Sequence, residues 1–332
     1  MALKVRYQRR RQADAVAVDT RHPPKQSLPR LIEGRYAAGA SLTSRLDPIR
    51  TMTNVSTLMP EAALGVTRRF PTARALATLG RATRHSVEAV GAGARFAART
   101  VGAVRDVHTW GPSLTLQMRR IGIDSLPIGV FIAVFTGIVL ALLASYSFTG
   151  AVPLYFVGTL VEKTITMELA PVLTGLALAG RVGANIAAEL GTMRVTEQID
   201  ALETLGYDPH SYLVVPRVLA GVMMFPIVVG AAMVAGVASG WLASVGLLDI
   251  SSADFVRGLR LFFSGFDVRY GLVKAASFGF IVTLIGSIRG LRAAGGAEGV
   301  GRAATSAVVH AAVLILVLDA FWALTWLLGS SP

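Results

Sequence analysis

Three ionisable residues, Glu168, His310 and Asp319, sit inside long apolar runs of this sequence. Charge in hydrocarbon is costly, so such groups face a protein interior or a water-filled cavity. They could relay a proton, as a secondary transporter requires. They could serve a membrane enzyme, with His310 as the base. They could also be structural polar pairs that join helices. No second acid–base or metal-ligand motif accompanies them, and lone residues scattered over two spans are weak evidence for catalysis. The structural reading is therefore preferred. A nucleotide site is not expected either. A P-loop needs GxxxxGK[ST], and the nearest approach, "GTLVEKT" at Gly158–Thr164, has Glu162 in place of the second Gly. With no cysteine in the chain, disulfides and thiolate metal sites are excluded.

The elements that must hold these residues are membrane helices. The chain has 332 residues, is 53% hydrophobic and only 16% charged, against roughly 25% charged in soluble domains. Several windows of about 18–25 residues carry one charge or none, the length a helix needs to cross a bilayer. A β-barrel would show short alternating segments, and these runs do not alternate. Five spans are predicted: Ser125–Phe148, Phe156–Gly180, Val218–Leu247, Gly271–Ile288 and Ser306–Leu328. Tyr146, Phe148, Tyr155 and Phe156 cluster at the first link, as an aromatic interface belt does.

Residues 1–124 carry 21 Lys+Arg against 8 Asp+Glu, and residues 125–332 carry 11 against 12. The basic excess ahead of the first span suits anionic lipid head groups and, with so apolar a remainder, not nucleic acid. The start, "MALKVRYQRRRQADA", has no apolar h-region, so no secretory signal is expected. Residues 1–60 read as a basic, disordered extension. Within 61–123, positions 72–108 read as a basic amphipathic helix, in the membrane interface or, as the second reading, packed on another cytosolic element, with Ala94, Ala97, Val101 and Val104 on its apolar stripe. Residues 124–332 form the membrane domain. The distribution of Lys and Arg puts the N-terminal region, 181–217 and 289–302 in the cytoplasm. The 248–270 connection then falls outside, with three Arg balanced by three Asp.

Between spans two and three lies "AELGTMRVTEQIDALETLGYDP". Val195, Ile199, Leu202 and Leu205 recur at helical spacing, with Arg194, Glu197, Asp200 and Glu203 off that face. Gly206 and Pro209 end the helix. An interfacial helix favours Lys and Arg on its polar face, whereas this one is mostly acidic, which suits a protein partner. Just upstream, Gly175, Ala179, Gly183, Ala187 and Gly191 make a small-residue ridge, a packing seam for another helix.

The stretch "LAGRVGANIAAELGTMRVTEQIDALETLGYDPHSYLVVPRVLAGV" resembles the signature region of the MlaE/YrbE permease family. "TMELAPV" is similar to the family's second-span motif, and "GVGRAATSAVVHAAVLILVLDAF" to its last span. The resemblance covers roughly 110–330. It implies an all-α polytopic subunit with an interfacial N-terminal helix, five spans and a cytoplasmic coupling helix between spans two and three. It implies a bacterial inner-membrane location, with the plastid inner envelope as second choice. It implies a second permease copy or a related subunit, an ABC ATPase that binds ATP and Mg, and an MCE-domain lipid-binding partner. No cofactor is implied in this chain. The coupling surface would comprise Arg194, Glu197, Gln198, Asp200, Ala201, Glu203 and Thr204. The lipid pocket would fall near Leu140, Leu143, Ser147, Phe148, Ala151 and Leu219. Glu168 falls in a family motif.

Overall fold

The computed structural model describes residues 84, 88, 91–148 and 152–329. The expected extension over 1–60, and most of the basic helix up to residue 90, lie outside the described residues. From Arg84 onward the chain forms one compact unit.

Five helices among the described residues are long and apolar enough to cross a membrane: Val107–Ser147, Phe156–Val195, His210–Leu247, Gly265–Leu291 and Gly296–Thr325. The expected all-α polytopic fold is therefore present. Spans two, three and four are 50–61% buried over their most apolar stretch, and spans one and five only 22% and 17%. The middle three make the centre of the bundle, and the first and last flank it. Spans one and three run parallel. Gly129 lies beside Val228, and Gly137 lies against the Gly236 backbone. Span one turns Gly129, Ala133, Gly137, Ala141 and Ala144 inward, so the two backbones approach closely. The expected ridge on span two is also a seam. Gly175 meets Phe278 and Gly183 meets Val282 of span four, and Gly191 meets Ala293 just past the end of that span.

Two of the helix irregularities share a cause. Span two widens into a π-turn at Ile165–Leu169, two residues before Pro171. Span three opens with a π-turn at His210–Val214, two residues before Pro216. Proline lacks an N–H, and its ring crowds the carbonyl four residues back, so the turn ahead of it opens. A third π-turn, Ala179–Gly183, has no proline after it.

The basic helix differs from its expected form. Residues 91–103 are helical, the chain breaks at 104–106, and a second helix runs Val107–Ile121. At the break the Thr109 hydroxyl donates to Asp106 and the Trp110 indole N–H donates to the Val104 carbonyl. Phe96, Ala97 and buried Thr100 face the bundle, with Phe96 and Ala97 against Val214 and Val218. Ala94 and Val101, expected on the apolar stripe, are exposed. The polar connection at 248–270 contains a ten-residue helix, Ser252–Leu261, whose first turn is capped by the Ser251 hydroxyl accepting from Asp254 N–H at 3.0 Å. This helix marks the far end of the bundle, and the short helix between spans two and three marks the near end.

Candidate functional site

Near the middle of the bundle a lysine stands where no solvent reaches it. Lys274 of span four is fully buried. Its Nζ lies 2.6 Å from Glu168 Oε2 of span two and 2.5 Å from Asp319 Oδ1 of span five. It also reaches the Met167 carbonyl at 3.4 Å. Met167 is four residues before Pro171, so its carbonyl lacks the usual intrahelical N–H donor. The π-turn thus frees one acceptor for Lys274 and carries a second, Glu168. The Tyr270 ring, one turn before Lys274, flanks the ammonium at 5.7 Å. One cation therefore ties three helices together through two carboxylates. His310 does not join them. It is exposed and hydrogen-bonds the Ser306 carbonyl of its own helix at 2.7 Å. Of the three residues singled out in the sequence, two share one partner, which favours the structural reading over a relay.

The near end carries a second polar node. Glu189 accepts from Arg217 at 3.1 Å and from Arg120 at 3.4 Å, and Arg217 is buried. These links fasten spans two and three to the Val107–Ile121 helix that opens span one.

Beyond Glu189, span two ends at Val195 and the chain turns. Glu197 takes a left-handed conformation, φ 60°, and a short helix follows over Gln198–Thr204. Ile199 is buried and Leu202 partly so, both against the larger core cluster. The expected stripe is thus shorter than its sequence spacing. Val195 belongs to the preceding helix, because the left-handed turn breaks the register. Leu205 lies past the last turn and is 73% exposed. Glu197, Gln198, Asp200, Ala201, Glu203 and Thr204 all lie on the surface. Arg194 pairs with Asp200 across the turn. Asp208 then caps the next span, accepting from the His210 and Ser211 N–H groups at 3.2 Å each.

The family described as permease MlaE matches residues 114–325. A probable ABC transporter permease protein of Rickettsia conorii is 41% identical over 240 residues, covering 72% of this chain and 93% of that protein. The chain belongs to the MlaE permease family. A probable ABC transporter permease protein of Synechocystis is 41% identical over 212 residues, covering 64% of this chain and 80% of its own. The chloroplastic protein TRIGALACTOSYLDIACYLGLYCEROL 1 of Arabidopsis thaliana is 34% identical over 203 residues, covering 61% and 58%. The protein is thus a multi-pass ABC transporter permease of the MlaE family.

The residues expected to line a lipid pocket in this MlaE permease fall into two places. Leu140 and Phe148 pack on the far-end core cluster. Leu143 and Ser147 are exposed on the same end of span one. Ala151 lies outside the described residues. Leu219 is not with them. Given the Gly129–Val228 register, it sits roughly 35 Å away along the bundle, toward the near end. Sequence reasoning missed Lys274 and the Glu189–Arg217 pair. A lone Lys inside the fourth apolar run was the available signal, since such a residue implies an acidic partner on another span.

Proposed function

We propose that this permease moves phospholipid or a related lipid between the bacterial inner membrane and an MCE-domain protein outside it, powered by a separate ATPase. ATP and Mg belong to that ATPase. Two permease copies, identical or related, form the membrane core, with lipid at the interface between them. The Gln198–Thr204 helix carries the reading. It is short, fastened by Ile199, and shows an exposed acidic face with Leu205 at its end. A rigidly anchored polar face on the cytoplasmic side can pass a push from a partner into spans two and three. The lipid path runs by Leu140, Leu143, Ser147 and Phe148 at the opposite end, continuing to Ala151. Leu219 has no part there, and its place at the near end suits a role in seating span three. The Arabidopsis relative's name contains that of a glycerolipid, which supports a lipid cargo.

Glu197→Lys combined with Glu203→Lys tests the docking surface. Both side chains are exposed, so the permease should keep its thermal midpoint while co-purification of the ATPase is lost. A complex that survives with full lipid-coupled ATPase activity would refute the assignment.

A further inference from the structure

At the far end, away from the span-one path, a groove of about 520 Å³ runs between span two, span three and the Ser252–Leu261 helix. That volume suits a ligand. Its walls are apolar, with Met233, Val234 and Val237 of span three facing Phe255 and Leu259 of the far-end helix. From Gly230 to Trp241 it follows span three for roughly 16 Å, a rod-like shape aligned with the helices. Val234 is 72% exposed, so the groove opens sideways, where the bilayer lies. Trp241, at its far end, donates its indole N–H to Ser252 at 3.1 Å, as a side chain at a membrane–water interface does.

Two polar side chains, Glu162 and Thr166 one turn on, break this apolar lining. Glu162 is only 3% exposed, and neither carboxyl oxygen has a hydrogen-bond partner among the described residues. The adjacent Lys163 does not serve it, being paired with Asp267 of span four. Glu162 lies six residues into span two, roughly 9 Å from its far end. A buried carboxyl without a partner is costly, so the site is incomplete as it stands. A ligand that complements this site presents N–H or O–H donors near the interface, beyond the single Thr166 hydroxyl, and an apolar rod below.

We propose that the groove binds a bilayer phospholipid whose head group carries hydrogen-bond donors, as ethanolamine does. One acyl chain lies along span three and the donor reaches Glu162. This site is separate from the span-one pocket, and it rests on the five spans and not on the ATPase-coupled reading.

The test uses the full chain, purified in detergent with equal phosphatidylethanolamine and phosphatidylcholine, each bearing a photoreactive acyl chain. Phosphatidylcholine has no head-group donor. Adducts should map to Val234, Val237 or Leu259, with phosphatidylethanolamine favoured about tenfold, the worth of one charged hydrogen bond. Glu162→Ala should bring the ratio to about one, and its thermal midpoint should hold or rise because an unsatisfied group is gone. Ala238→Trp, which fills the groove, should remove adducts from both lipids. The proposal is overturned by equal labelling in the unaltered protein, by adducts confined to span one, or by labelling that survives Ala238→Trp. A cross-link between two copies through Val234 would assign the groove to an interface and overturn it as well. If Glu162→Ala fails to fold, the lipid preference of the unaltered protein and Ala238→Trp still decide. Loss of ATPase docking would leave every one of these outcomes unchanged.

Discussion

Lys274 is fully buried and charged, so its stability depends on its partners. Its two carboxylates are more accessible, at 42% and 23% side-chain exposure. The asymmetry predicts which substitutions hurt. Glu168→Gln with Asp319→Asn leaves the ammonium buried without a counter-charge and should cost about 3 kcal/mol. Adding Lys274→Met removes the stranded charge and should restore most of that loss. Thermal unfolding of the three proteins in detergent checks the order. His310→Ala should leave the midpoint nearly unchanged, since its imidazole bonds only its own helix.

At the scale of elements, close helix contact depends on where a missing side chain is needed. A Cβ added at Gly137 would come within 2.0 Å of the Gly236 carbonyl, and spans one and three would have to separate. At Gly180 nothing lies within 4 Å of the added atom. Gly137→Ala should therefore destabilise by about 2 kcal/mol, while Gly180→Ala should be neutral or slightly stabilising, since Ala favours helix. The yield of monodisperse protein on size exclusion, read with the thermal midpoint, separates the two. The π-turns belong to this scale as well. Pro171 opens the turn that carries Glu168 and frees the Met167 carbonyl. One backbone irregularity thereby provides two of the ligands of Lys274.

For the whole molecule, the two ends of the bundle differ in character. The near end holds the Glu189–Arg217 node and the acidic Gln198–Thr204 helix. The far end holds the Ser252–Leu261 helix and the groove beside Glu162. The Lys and Arg distribution predicts that the near end faces the cytoplasm. A chain without cysteine makes this directly testable. Glu203→Cys should react with a membrane-impermeant maleimide only from the cytoplasmic face of oriented vesicles, and Asp254→Cys only from the other. Reaction of both from one side would invalidate the five-span topology.

The sequence alone determined the class, the five spans, the small-residue seam and the position of the acidic segment. Those features follow from local composition and periodicity, which act over neighbouring residues and need no fold to be visible. The family resemblance rested on the same contiguous stretches. Only the tertiary structure decided which charges meet. Lys274, Glu168 and Asp319 come from three separate spans, and the depth at which they match depends on helix register, on a proline-opened turn and on which spans are central. The same holds for Leu219, set apart from Leu143 by the parallel register of spans one and three. It holds for the Gln198–Thr204 helix, where a left-handed residue at Glu197 broke a stripe that looked continuous. Long-range contacts and backbone breaks have no periodic signature, so the partners of buried charges were settled by packing.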